Sequence, residues 1–205
     1  MMPHHFYKHE NYAGVIVAVY TPMGRTLEAY LHDNGIIASE KGFIKTKVVC
    51  AFVMADVIRG FLTMAKHGYY AGVIVPEKIY FSQEYMNAFL YPTFGLADGE
   101  YHVPDGTHFP YYARNREHKI SVHSEILALG FLYLQMRLQG DNLERKYRTF
   151  NDQLEVYASI RDEANDALSE TEWLLLDDIF LQLDNHLRKI ALKKLALLQV
   201  QYLFL

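Results

Sequence analysis

The chain has one cysteine among its 205 residues, Cys50. That excludes an intramolecular disulfide and any zinc site built from several cysteines. Cys50 lies inside the apolar run Val48-Val49-Cys50-Ala51-Phe52-Val53, so its simplest role is that of a small core residue. There is no basic run of the kind that carries nucleic acid: the formal net charge is −4, with acids and bases interspersed through most of the sequence. No uninterrupted apolar run approaches the ~20 residues of a membrane-spanning helix. The apolar end Leu195 to Leu205 is cut off upstream by Lys193 and Lys194. The start, Met1-Met2-Pro3-His4-His5-Phe6-Tyr7-Lys8, has neither the charged region nor the apolar stretch of a secretory signal, so a cytoplasmic location without membrane insertion is expected. Phosphate loops, dinucleotide fingerprints and the Gly-x-Ser-x-Gly setting of a nucleophilic serine are also missing.

What is present suits an ordered fold. Hydrophobic residues make up 51% and charged residues 21%, enough apolar surface for a sizeable core. The expected organisation is a single domain, 1–205, with an α/β portion over 1–90, a long loop over 91–117 and a helical portion over 118–205. The fold class is α+β: a small N-terminal antiparallel or mixed sheet with a buried helix, followed by a largely helical C-terminal half.

The β-branched run at 13–20 reads as a strand ended by a turn at Pro22, and the alternation of Leu27, Ala29 and Leu31 with polar neighbours reads as a second strand. Nearly continuous apolar residues over 45–66, stopped by Gly68, predict a buried helix. A further strand is expected at 70–75 before Pro76, then a short helix over 83–90 capped by Ser82. The string Tyr-Ala-Gly-Val-Ile-Val occurs at 12–17 and again at 70–75, but the flanks differ, so two similar buried strands are a better account than a duplication.

A helix over 120–139 is apolar on nearly all sides and belongs at the centre. From Asp141 to Leu205 two long amphipathic helices are expected. The first carries Leu143, Tyr147, Phe150, Leu154 and Tyr157 at steps of four and three. The second starts at the capping box Ser169-Glu170-Thr171-Glu172 and ends among Arg188, Lys189, Lys193 and Lys194, where cations complement a helix dipole.

Four constellations bear on function. His123-Ser124-Glu125 has the His-x-Glu order of zinc base deaminases, but no cysteine follows to complete their ligand set. His102, Asp105, His108, His118, His123 and Glu125 gather around the long loop without the four-residue step of a helical metal site. The loop also holds Tyr111 and Tyr112 beside Arg114 and Arg116, a composition common at protein interfaces. Eight acids lie between Asp162 and Asp184 with no lysine or arginine among them, a surface able to steer a basic partner.

Taken together, these features favour a non-catalytic intracellular adaptor or chaperone-like subunit of a larger assembly over an enzyme. Accessory components of bacterial secretion machines are one such class. The candidate partner-binding residues are Tyr111, Tyr112, Asp177, Asp178, Leu183, Leu187, Tyr202 and Phe204, with a protein partner or a second copy of the chain as the expected companion. No residue is assigned to catalysis or metal binding, and no cofactor is expected. The alternative is a small-molecule hydrolase or lyase with a His/Glu site in the 100–125 loop, His108, His118 or His123 serving as acid, base or ligand.

Overall fold

The computed structural model describes residues 5–8, 16–19, 23–33, 40–82, 88–90, 108–114, 120–138 and 142–201. Strands β1 (His5–Lys8) and β2 (Ile16–Val19) form an antiparallel pair. Strands β3 (Met23–Thr26), β4 (Ile79–Ser82) and β5 (Ala88–Leu90) form a second antiparallel sheet in the order β3-β4-β5. The N-terminal sheet structure with nearby helices, followed by a largely helical region, is the expected α+β architecture.

Local departures from expectation have identifiable causes. Residues 27–33 are a helix, α1 (Leu27–Asp33), instead of a strand. The Thr26 hydroxyl accepts a hydrogen bond from Ala29 N at 3.1 Å, which satisfies an amide of the first turn. Leu27 is then fully buried, and Tyr30 lies against Phe81 with 5.6 Å between ring centroids. A run this short fits either period, and the cap decides between them.

Of the expected strand at 70–75, residues 71–75 are buried, yet among the described residues the segment joins no sheet beyond a single bridge at Tyr70. Side chains take the place of a neighbouring strand. Gly72 N donates to Glu125 Oε1 at 2.9 Å and Ile74 N to the Tyr112 hydroxyl at 2.8 Å, which in turn donates to Gly72 O at 3.1 Å. Gly72 adopts φ +93, outside the strand region that L residues favour. The chain then makes a 3-10 turn (Pro76–Lys78) and enters β4, while Ala88–Leu90 pairs with β4 as a strand instead of ending a helix. The rest of that expected helix lies outside the described residues, as do Tyr202 and Phe204.

Helix α2 (Glu40–Lys66) buries Val53, Met54, Val57 and Phe61, and stops where Gly68 takes φ +76 and Tyr69 N returns to Met64 O at 3.1 Å. Helix α3 (Val122–Leu138) is buried over Ser124 to Met136, as its all-round apolar sequence requires. Each of the two expected C-terminal helices is divided. The first becomes α4 (Leu143–Lys146) and α5 (Gln153–Glu163), because Asp152 starts a new helix by accepting from Leu154 N and Glu155 N. The second becomes α6 (Glu170–Phe180) and α7 (Asn185–Gln201), interrupted at 181–184, where Asp184 Oδ1 accepts from His186 N at 2.7 Å. Arg188 and Lys189 therefore stand near the start of α7 and not at a helix end.

Helix α7 packs on α2 and α6, and α3 packs on α2, α6 and α7. Phe180 is a focus of this packing: it stacks on Tyr157 at 4.2 Å and meets Phe131 edge-on at 4.8 Å. Gly130 lets α3 approach it, since a Cβ there would lie 2.8 Å from the Phe180 ring. No helix among the described residues is long and apolar enough to cross a membrane.

One buried carboxylate ties three of these helices together. Glu172 Oε1 accepts from the Tyr133 hydroxyl, from Arg137 Nε at 2.9 Å and from Gln199 Nε2 at 3.4 Å. Its Oε2 accepts from Ser169 N at 2.9 Å and the Ser169 hydroxyl at 2.8 Å, which completes the expected capping box. Burial acts to raise the Glu172 carboxyl, but the donors around it outweigh that and hold it below the ordinary range. Removing the acid strands Arg137 without its counter-charge. Glu172→Ala is expected to cost about 3–5 kcal/mol in urea unfolding, the usual effect of breaking a buried pair. A loss under ~1 kcal/mol would mean that water or another group compensates.

Candidate metal centre

Three segments distant in sequence converge on one point. Glu77 sits in the 3-10 turn that follows the buried 71–75 segment. His108 opens a turn at 108–112, closed by a hydrogen bond from Tyr112 N to His108 O at 3.1 Å. Glu144 lies in the first turn of α4, where its amide donates to the Asn142 cap at 2.8 Å. His108 Nδ1 is 3.0 Å from Glu77 Oε1 and 3.2 Å from Glu144 Oε1. Ligating atoms of the three residues all lie within 4.8 Å of one another.

Each segment is held by the core. The Tyr112 hydroxyl bonds to Ile74 and Gly72 and so locks the 108–112 turn to the segment leading into Glu77. Gln153 Nε2 donates to Pro110 O at 2.8 Å and Tyr111 O at 3.1 Å, fixing the same turn to α5. Leu143 N donates to Gln135 Oε1 at 2.8 Å, so α4 hangs from the central helix α3. His108 has φ +61, a left-handed conformation uncommon for residues with a Cβ, and it persists because these bonds surround it.

The Glu144 and Glu77 carboxylates hydrogen-bond the imidazole and, against the effect of burial, push His108 up to about 9. Burial alone would raise Glu77, but its hydrogen bond with His108 prevails and its carboxyl lies below the ordinary value. Near neutrality the His108 proton bridges two carboxylates. A divalent cation can take the place of that proton: cis ligands about 2.1 Å from a metal lie about 3 Å apart, which matches the separations around Nδ1. One imidazole and two carboxylates form a mixed nitrogen and oxygen donor set of the kind that suits zinc or manganese, and three protein ligands leave positions for water or substrate. The side chains are 20% exposed at His108, 30% at Glu77 and 31% at Glu144, so solvent reaches the group.

The grouping of Glu77, His108 and Glu144, suited in geometry to hold a metal ion, overturns the expectation of a non-catalytic chain. His108 is within reach of sequence reading, as a histidine of the long loop. Glu77 and Glu144 are not, since neither belongs to a motif and they lie on either side of the loop.

The other singled-out residues have different surroundings. His123 and Glu125, two apart on α3, point to different sides. The His123 ring meets the buried guanidinium of Arg188, which also donates to Phe180 O at 3.3 Å. Glu125 is buried beneath Gly72, and burial pushes its carboxyl up to about 8 despite bonds from the Gly72 and Ala71 amides. Tyr111 and Tyr112 are buried, so their rings serve the core instead of an exposed surface. Asp177 accepts from the Tyr157 hydroxyl at 2.7 Å and pairs with Arg161, while Asp178 is exposed. Leu183 is 92% exposed and Leu187 44%. His102, Asp105 and His118 lie outside the described residues. No protein-family model matches the chain, and a search of curated proteins finds no relative.

Two titrations follow. Zinc or manganese binding at pH 7, followed by calorimetry in buffers of different ionisation heat, should release close to one proton per ion. Affinity should rise about tenfold per pH unit from pH 7 towards 9. Binding without proton release removes His108 Nδ1 from the ligand set. In the absence of metal, the raised His108 value contributes stability that is complete below 6.5 and lost as pH rises through about 9.

For Glu125 the unfolded chain loses its proton near 4.5 and the folded chain near 8, so stability falls as pH rises across that window. Glu125→Gln should therefore stabilise the protein at pH 8 by roughly 1–3 kcal/mol and have little effect at pH 4.5. A destabilised Gln variant at both pH values would show that the carboxylate is held charged.

Proposed function

We propose that the chain is a metal-dependent hydrolase or lyase of a small molecule, with Glu77, His108 and Glu144 holding a divalent cation. The observation that carries this reading is the approach of both carboxylates to the single Nδ1 atom of His108, at 3.0 and 3.2 Å, from opposite sides of the long loop. Such a cation, when bound, supplies Lewis acidity and lowers the pKa of a coordinated water. The chain's contribution is to fix the donors. Tyr112, Gln153 and Gln135 hold the three backbone segments in place, so little reorganisation is needed at binding. Glu77 and Glu144, each about one-third exposed, can take or return a proton at a substrate oxygen or nitrogen.

The reading is tested by metal content and turnover together. Protein loaded with Co2+, Mn2+ or Zn2+ is assayed against a panel of esters, phosphoesters, amides and β-hydroxy acids. His108→Ala and Glu144→Gln should weaken metal binding at least a hundredfold and abolish the metal-dependent reaction, with the far-UV circular dichroism unchanged. Stoichiometric metal retained by His108→Ala, or turnover indifferent to both changes, would reject the assignment.

A further inference from the structure

Helices α2 and α7 enclose a groove of about 840 Å3 whose described lining includes none of Glu77, His108 and Glu144. Its floor is apolar, made by Ile58, Leu62, Ala196 and Leu197. Leu197 is 63% exposed, a large share for a leucine on a helix that packs on three others. The rim is cationic: Arg59 and Lys66 come from α2, Lys189 and Lys193 from α7, and His67 closes one end. Among the described residues no carboxylate lines the groove; Asp56 stands outside the lining, 3.9 Å from Arg59.

The complementary surface lies on the same chain. Along α6, residues Glu170, Leu174, Asp178 and Leu181 follow one another at steps of four, four and three, so they form one stripe, and all four are exposed. Leu174 is 58% and Leu181 57% exposed, whereas Trp173, Leu176, Ile179 and Phe180 on the opposite side are buried. The stripe therefore alternates acid and leucine. At 1.5 Å per residue it runs about 16 Å, as does the α2 wall of the groove from Ala55 to Lys66.

We propose that this chain associates with a second copy of itself, the acidic leucine stripe of α6 in one copy seating in the basic-rimmed groove between α2 and α7 of the other. Leu174 and Leu181 cover the apolar floor, and Glu170 and Asp178 meet the lysines of the rim. Each copy carries both halves of the contact, which is heterologous and yields a ring or an open chain according to the rotation between copies. One helix face against one groove is small for a protein interface, so a dissociation constant on the order of 10 μM and a marked weakening by salt are expected.

Sedimentation velocity on the full chain from 5 to 200 μM, in low and high salt, measures this association. The wild type should self-associate in low salt and dissociate in high salt. Two charge-reversed chains, Glu170→Lys with Asp178→Lys and Lys189→Glu with Lys193→Glu, should each self-associate at least tenfold more weakly. Glu170, Asp178 and Lys193 are exposed and Lys189 is half-buried, so far-UV circular dichroism of both variants should match the wild type. Mixing the two variants should restore association, because the reversed stripe matches the reversed groove. A wild type that stays monomeric at 200 μM in low salt overturns the proposal. So does association that ignores both reversals, or a mixture no tighter than its components.

Discussion

The helical half of the protein depends on the carboxylate of Glu172. A charge this deep is tolerated only if every lone pair is engaged, and here five donors from Ser169, Tyr133, Arg137 and Gln199 engage them. The same donors belong to α3, the start of α6 and α7, so meeting the electrostatic requirement also sets the relative positions of three helices. Apolar packing supplies most of the driving force for collapse, but it is not directional. The polar centre selects one arrangement among the many that would bury the same leucines.

The His108 cluster is downstream of that arrangement. Tyr133 and Gln135 are neighbours on α3: one is committed to Glu172, the other receives Leu143 N and so fixes where α4 begins. Glu144 is the next residue. On the other side, Tyr112 reaches the backbone of Gly72 and Ile74, and Gly72 is itself held by Glu125 of α3. Both carboxylates that face His108 are therefore positioned, through one or two hydrogen bonds, by the same central helix.

Much of this order could be read from sequence, and the part that could not has a physical explanation. The buried α2 and α3, the capping box at Ser169 and the stop at Gly68 are local consequences of periodicity and cap chemistry, and the structure contains them. The interruptions at Asp152 and Asp184 also have local causes, yet they were masked by apolar spacing that continues across them. Tyr112 illustrates the harder case. Its aromatic, loop-borne context suggests a surface for a partner, whereas its hydroxyl replaces a missing strand neighbour at Ile74, which no local pattern encodes. Glu77 and Glu144 are equally unmarked, because a cluster assembled from three segments has no characteristic spacing.

The saturation of each acid separates structural from chemical roles. Both Glu172 oxygens are fully committed to donors of the protein, which leaves no lone pair for a substrate and holds the group ionised. Glu125 has one oxygen bonded to Gly72 and the other buried without a partner among the described residues, a situation that favours the neutral acid and suits a silent role in the core. Glu77 and Glu144 are different: each shares a single histidine nitrogen through one oxygen, and each is about one-third exposed. Their proton is held by a group that solvent can reach and a cation can displace. Capacity for chemistry belongs where acids are held in place without being used up, and among the described residues only Glu77, His108 and Glu144 bring three such donor atoms within 4.8 Å of one another.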